Sequence, residues 1–127
     1  MSFNWAEFDE LAQELIGNPG LNATAEAICR TAISRAYYAA FCTAMERLVN
    51  VNHVHIDKTA DAHLQVYNEF GQSSDVRRCR IAAHLKTLRA LRNIADYDPT
   101  PVQVIDTFTA QDSVDLANVV LGILQSL

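Results

Sequence analysis

The chain has 127 residues, half of them apolar, and a formal net charge of −5. This length is usual for one domain with a single core, so we expect residues 1–127 to form one domain. The apolar runs are far shorter than the ~20 residues that cross a bilayer, the acidic start MSFNWAEFDELAQEL is unlike a signal peptide, and the acidic balance argues against a general nucleic-acid coat.

The first predicted helix begins at Asn4, because this side chain can cap a helix and Glu7, three residues later, completes a capping-box-like pair. Apolar residues then recur at the 3.6-residue spacing of one helix face. They are Phe8, Leu11, Ala12, Leu15 and Ile16. The turn residues GNPG (17–20) end this helix.

A long second helix is predicted from about Asn22 to about Val49. Apolar side chains repeat along it at threes and fours, including Ile33, Tyr37 and Phe41. Five alanines would let another helix approach closely. They are Ala32, Ala36, Ala39, Ala40 and Ala44.

Two more helices follow the connector NVNHVHID (50–57). The third is expected to begin at residue 57 or 59 and to end at residue 71. The fourth is expected over about 75–97, and Pro99 and Pro101 stop it because proline lacks a backbone donor. Its inward positions are Ile81, Leu85, Leu88, Leu91 and Ala95.

The segment VQVIDTF (102–108) is compatible with an extended or a helical conformation. Thr109 is predicted to cap a last helix that runs to the C-terminus. No segment reads convincingly as a strand. The sequence therefore predicts an all-α fold, an antiparallel bundle of four or five helices.

Three cysteines, Cys29, Cys42 and Cys79, are odd in number and widely spaced, without a Cys-x-x-Cys pair. This usage is typical of a reduced protein whose thiols lie in the core. We therefore expect a cytoplasmic location.

Basic residues concentrate in residues 77–92, RRCRIAAHLKTLRALR, which hold six of the ten Lys and Arg and no acid. An acidic body with one basic helix can focus an anion onto that helix. The alternative is a solvated helix face paired with acids elsewhere in the fold, and charge alone favours it.

Histidines and carboxylates follow one another in the connector and the third helix: His53, His55, Asp57, Asp61 and His63. A metal site needs three or four converging ligands, and this series follows no standard spacing, so we expect no metal and no other cofactor. His84 on the fourth helix is expected to be a half-buried structural histidine rather than a base.

The stretch SRAYYAAF (34–41) places polar and aromatic residues on the second helix. Tyr37 shares a face with Ile33 and Phe41, so its ring is expected in the core. Arg35 and Tyr38 are three residues apart and therefore neighbours on the helix surface. They form either a surface cation–π pair worth ~0.5–1 kcal/mol or a polar strip beside a site on the fourth helix.

The stretch LRALRNIADYDP (88–99) places Arg89, Arg92, Asn93 and Asp96 on one helix face at the edge of the core. Arg92 presents a planar fork suited to phosphate. Asn93 can hydrogen-bond a base or a sugar hydroxyl, and Asp96 can orient the fork or accept a proton. The alternative is an ordinary helix ion pair worth ~0.3–0.5 kcal/mol.

Together, SRAYYAAF on the second helix and LRALRNIADYD on the fourth resemble the HEPN (higher eukaryotes and prokaryotes nucleotide-binding) domain family. The resemblance covers most of the chain, including the helix order and the proline-interrupted step before the last helix. The RNxADY form is most similar to small stand-alone bacterial and archaeal members.

The resemblance implies a helical bundle that forms a homodimer, in which two copies of the motif meet in one cleft. Many members are metal-independent RNA endonucleases of toxin–antitoxin or phage-defence systems. Many small members are encoded beside a minimal nucleotidyltransferase that acts as the antitoxin. By position, Arg92 matches the motif arginine and Asn93 the polar residue after it, and we expect Arg35, Tyr38 and Arg89 to contact nucleotide or RNA.

One departure concerns the motif histidine, four to six residues after the arginine, because this chain has Tyr97 there. Tyrosine is a poor general base at neutral pH. In related toxins a tyrosine close to this motif is adenylylated by the partner transferase, so Tyr97 is a candidate for that modification.

Three hypotheses follow. The first is a metal-independent endoribonuclease in which Arg92, Asn93, Asp96 and Tyr97 are catalytic. The second is a nucleotide- or RNA-binding subunit that does not cut and partners a nucleotidyltransferase. The third is a bundle whose polar strip is only an interface.

Overall fold

The computed structural model describes residues 3–18, 20–57, 59 and 61–127, which form five helices and no strand. They are α1 (Glu7–Gly17), α2 (Ala25–Asn50), α3 (Ala62–Gly71), α4 (Val76–Tyr97) and α5 (Thr107–Ser126). The predicted all-α helical bundle is confirmed. No helix in these ranges is both long and apolar enough to cross a membrane.

Helix α2 lies at the centre and packs against the four other helices. The five alanines predicted to admit a close neighbour have no exposed surface. Short side chains bring the helix axes together and leave little room for water, so the backbone of α2 itself becomes part of the core.

One apolar core runs through all five helices. Tyr37, Phe70 and Leu88 are among its largest fully buried side chains, and the predicted inward positions Ile81 and Leu85 are buried with them. Leu11 was expected to face inward but is 41% exposed. The helical repeat placed it at the edge of the apolar stripe, where only the packing of neighbours decides burial.

Several helix starts differ from the sequence expectation. Helix α1 begins at Glu7, and Asn4 instead accepts a hydrogen bond from the Ala6 amide at 3.2 Å in the turn before it. The rings of Phe3, Trp5 and Phe8, with centroids 5.1–5.7 Å apart, pack around that turn. A local aromatic cluster therefore replaces the predicted cap.

Of the two later caps, the cap of α4 agrees with the prediction and the cap of α5 does not. Asp75 caps α4 by accepting from the Arg77 amide at 2.9 Å, as the expected start requires. Helix α5 is capped by Asp106, which accepts from the Thr109 amide at 2.9 Å, so the prediction of Thr109 as the cap is wrong. An aspartate three residues earlier offers the stronger, charged acceptor.

Helix α2 is capped by Thr24 and begins at residue 25 rather than 22. Helix α3 begins at residue 62, later than predicted. Before it, the backbone amide of Asp57 donates to the side chain of Gln65 at 3.0 Å.

Arg30 fastens α2 to the C-terminal end of α4. Its Nη1 donates to the carbonyl oxygens of Ile94, Ala95 and Asp98 at 3.1, 3.0 and 2.8 Å. The last carbonyls of a helix have no partner within the helix and carry partial negative charge, so a guanidinium satisfies both needs.

Replacing Arg30 with Met should lower the free energy of unfolding by about 2–3 kcal/mol, because the carbonyls lose a charged donor. Urea unfolding measures the loss, and hydrogen exchange should speed up selectively at the amides of Tyr97 and Asp98. Arg30→Lys, which keeps the charge, should recover part of the stability. Unchanged exchange at the end of α4 would contradict this role.

Asp9 is a carboxylic acid buried at the α1 surface of the core, 3% exposed. Burial raises the pKa of Asp9, the hydrogen bond from Gln13 opposes this shift, and the charges of Asp115 and Glu10 add to it. A carboxyl whose pKa is higher in the folded state stabilises the fold only when protonated. Its contribution is therefore lost as pH rises above the ordinary value near 3.8.

We expect Asp9→Asn to raise the free energy of unfolding at pH 7, by on the order of 1 kcal/mol, since it removes a buried charge and keeps an acceptor for Gln13. The gain should shrink as pH falls toward 4. Thermal unfolding from pH 4 to 8 tests the trend, and Asp112→Asn on exposed α5 surface is the control. If the gain in unfolding free energy did not change with pH, ionisation of Asp9 would not be the source of its cost to stability.

Candidate functional site

Arg92 lies at the centre of a polar cluster between α2 and α4. Its Nη2 donates to Tyr38 Oη at 2.6 Å and to Tyr97 Oη at 3.2 Å, and its Nη1 donates to Asn93 Oδ1 at 3.1 Å. We call Tyr38, Arg92, Asn93, Asp96 and Tyr97 the Arg92 cluster. Only 12% of the arginine side chain is exposed.

Asp96 closes the cluster from the next turn of α4. Its Oδ2 lies 2.9 Å from Arg92 Nε, an ion pair in which the N–H is not aimed at the oxygen. The same Oδ2 accepts a hydrogen bond from the buried Ser34 hydroxyl at 3.1 Å. Burial acts to lower the pKa of Arg92, but Tyr38, Tyr97 and Asp96 outweigh it and the pKa is raised.

Two arginines flank the ring of Tyr38. The guanidinium carbons of Arg35 and Arg92 each lie 5.1 Å from its centroid, within cation–π distance. Arg35 also lies 4.7 Å from the Phe8 ring and donates to Ser34 Oγ at 3.5 Å. The predicted contact of Arg35 with Tyr38 is therefore present, and it continues the Arg92 cluster toward α1.

Arg89 lines a separate pocket, which it shares with Asn93. This α3–α4 pocket has a volume of about 300 Å³ and is lined by Tyr67, Lys86, Arg89, Ala90 and Asn93. Asn93 thus belongs to both the pocket and the Arg92 cluster. The structure places Arg89 beside the cluster rather than in it.

His63 adjoins this region, although the sequence argument considered it only as a metal ligand. Its Nδ1 is hydrogen-bonded to the hydroxyl of the buried Tyr37, and its ring stacks on Phe41 at 4.4 Å between centroids. Burial lowers the pKa of His63, and the charges of Arg89 and Arg92 lower it further. The ring is therefore neutral at pH 7.

The antiparallel register of α3 and α4 explains why His63 lies there. Arg78 covers the Phe70 ring at 4.6 Å, and Tyr67 shares a pocket with Arg89. The N-terminal turn of α3 therefore lies toward the C-terminal half of α4, where the charges of Arg89 and Arg92 act on His63. The sequence signal was the spacing of His63 and Tyr67, four residues apart on one face, but it becomes informative only once the register is known.

The histidine-rich connector forms a local contact. His55 Nε2 lies 2.9 Å from Asp57 Oδ1, both exposed, and His53 has a positive φ of 56°. Nowhere in the described ranges do three or more His, Cys, Asp or Glu side chains come together as metal ligands would. His84 is half-buried, and burial lowers its pKa.

Comparisons with protein-family models, curated proteins and solved structures gave no match. The HEPN resemblance stays a prediction that rests on the two sequence motifs.

The ligands that the Arg92 cluster can bind depend on which N–H donors of Arg92 already have a partner. Nη2 contacts two tyrosine hydroxyls, Nη1 contacts Asn93, and Nε faces Asp96. Tyr97 is 70% exposed and Tyr38 is half-buried, so Tyr97 is the contact that an incoming ligand can displace. An anion that replaces the Tyr97 hydroxyl would meet a positioned guanidinium.

Tyr38→Phe and Tyr97→Phe remove one hydroxyl each from the same guanidinium, which makes them a matched pair. We expect Tyr38→Phe to cost about 1.5–3 kcal/mol of unfolding free energy, because a half-buried cation loses an acceptor. Tyr97→Phe should cost less than about 0.5 kcal/mol, since water can replace an exposed hydroxyl. Urea unfolding compares them, and equal costs would contradict the assignment of Tyr97 as the displaceable contact.

Proposed function

We propose that the chain is a HEPN-type protein of a toxin–antitoxin or phage-defence system that acts on RNA as a metal-independent endoribonuclease, with the Arg92 cluster as its active site. The observation that carries the proposal is the hydrogen bond of 2.6 Å from Arg92 to Tyr38. It joins the two motifs that carry the family resemblance, which lie 54 residues apart in the chain.

In this proposal Arg92 stabilises the negative charge that develops on the attacked phosphate. Asn93 accepts from Arg92 through Oδ1, so its amide N–H groups are left to hold a ribose hydroxyl. The reaction uses the 2′-hydroxyl as nucleophile, which restricts the substrate to RNA. Its products are a 2′,3′-cyclic phosphate and a 5′-hydroxyl.

Proton transfer falls to Asp96 and Tyr97. Ser34 and Arg92 hold Oδ2 of Asp96, so Oδ1 is the carboxylate oxygen that takes the proton of the 2′-hydroxyl. The Tyr97 oxygen accepts from the cationic Arg92, so its O–H is free to donate to the departing 5′-oxygen. These roles replace the base and acid that a motif histidine would supply.

Exposed apolar side chains around the end of α4 support the expected homodimer. Tyr97, Val102, Val104 and Phe108 are 69–104% exposed. Monomeric proteins rarely leave several large apolar side chains uncovered together, so this segment is the natural contact for a second copy.

The second candidate is a nucleotide- or RNA-binding subunit that does not cut and partners a minimal nucleotidyltransferase. The enclosure of Arg92 favours it, because an arginine only 12% exposed with three hydrogen bonds is already satisfied within the chain. The exposed Tyr97 hydroxyl is accessible to an adenylylating partner.

The deciding experiment incubates the protein with a mixed tRNA and mRNA pool in EDTA. We expect cleavage by the unmodified chain and at least about a hundredfold loss in Arg92→Ala, as for removal of a transition-state donor. Arg80→Ala, an exposed arginine on the same helix, is the control and should keep full activity. Circular dichroism checks that each variant is folded.

Two outcomes contradict the proposal. If the unmodified chain cuts and Arg92→Ala cuts equally well, the active site lies elsewhere. If neither cuts at micromolar protein, the endoribonuclease function is wrong. RNA and nucleotide binding by the same proteins would then test the binding subunit.

A further inference from the structure

The α3–α4 pocket has the charge of an anion site. Lys86 and Arg89 line it with Tyr67, Ala90 and Asn93, and no carboxylate is among these lining residues. Lys86 is exposed at the rim, and Arg89 is half-buried in the wall. Two cations on a concave surface concentrate positive potential there.

Arg89 Nε, in the wall of this pocket, is buried without a hydrogen bond to the described residues, and the Tyr67 hydroxyl beside it interacts with Tyr37 and Arg89. Tyr67 itself is only 6% exposed. Folded proteins leave few buried polar atoms unpaired, since each costs about 1–3 kcal/mol, and Arg89 Nε therefore remains a donor for a ligand.

The side chains around the pocket offer hydrogen-bond donors rather than acceptors. Burial raises the pKa of Tyr67, and Tyr37 and Arg89 partly offset the shift, so the phenol is protonated and can donate. Burial and the charges of Arg89 and Arg92 lower the pKa of His63, so its ring adds no positive charge to the site at pH 7. The lining of the pocket therefore offers Arg89 hydroxyl and amide neighbours and no carboxylate.

We infer that the α3–α4 pocket is a binding subsite for a phosphate group, held by Lys86 Nζ, the Arg89 guanidinium and the Asn93 amide. Asn93 connects this subsite to the Arg92 cluster, because its Oδ1 accepts from Arg92 while its amide N–H groups remain available. We further assign this phosphate to an RNA strand, next to the phosphate that contacts Arg92, and this assignment rests on the proposed function. The subsite itself does not.

The test is an NMR titration with three probes: inorganic pyrophosphate, 5′-AMP and a single-stranded RNA hexanucleotide. We expect saturable shifts of the Arg89 Nε–H and the Asn93 side-chain amide with each probe. Lys86→Gln should weaken binding about tenfold, as for loss of one charge-assisted hydrogen bond. Arg80→Gln removes the same charge from the same helix outside the pocket and should change little.

RNA binding measured against salt adds a second readout. Loss of one phosphate contact lowers the slope of log K against log salt by about 0.7 for a single strand. We expect this change for Lys86→Gln and none for Arg80→Gln. Competition between 5′-AMP and the RNA then shows whether the free nucleotide and the strand use the same subsite.

The outcomes separate this inference from the proposed function. If RNA binds but Lys86→Gln and Arg80→Gln weaken it equally, the subsite is wrong and RNA binding stands. If pyrophosphate and 5′-AMP shift the pocket while RNA does not bind, the subsite stands and the proposed action on RNA falls. If no probe shifts Arg89 and Asn93, the subsite is wrong.

Discussion

A single row of polar side chains on α2 holds the last turns of α4, and the site depends on it. Arg30, Ser34 and Tyr38 are spaced four residues apart, so they lie along one face of the helix. They bind in turn the terminal carbonyls of α4, the carboxylate of Asp96 and the guanidinium of Arg92. Because α4 runs antiparallel to α2, three turns of one helix are tied to successive turns of the other.

This row explains how a central helix can be polar on one side without weakening the core. Buried polar groups are costly only when they lack partners, and each member of the row has one on α4. The alanines on the remaining faces allow the close approach that keeps those hydrogen bonds short. Apolar packing therefore sets the distance between the helices, and the polar row sets their register.

The sequence predicted what depends on local spacing. The five helices, the burial of Tyr37 and the shared face of Arg92, Asn93 and Asp96 follow from the 3.6-residue repeat, which any single helix obeys. Register between helices does not follow from it, so the capping role of Arg30 and the approach of His63 to α4 were missed. The start of α5 was misplaced because two possible caps, Asp106 and Thr109, lie three residues apart. The start of α1 was misplaced because an aromatic cluster forms where the cap was expected.

The two halves of the candidate site differ in how well their charges are satisfied. Arg92 already has three hydrogen bonds and a carboxylate neighbour, so an anion gains little there unless it displaces the exposed Tyr97 hydroxyl. Lys86 and Arg89 have no carboxylate in the lining of their pocket, so an anion gains charge pairing there at once. Under the proposed function, a strand would first be held at the pocket, and only then would a neighbouring phosphate compete for Arg92. In this order, binding of the strand at the pocket precedes contact of a phosphate with Arg92. A binding subunit needs only the first step, whereas a nuclease needs both.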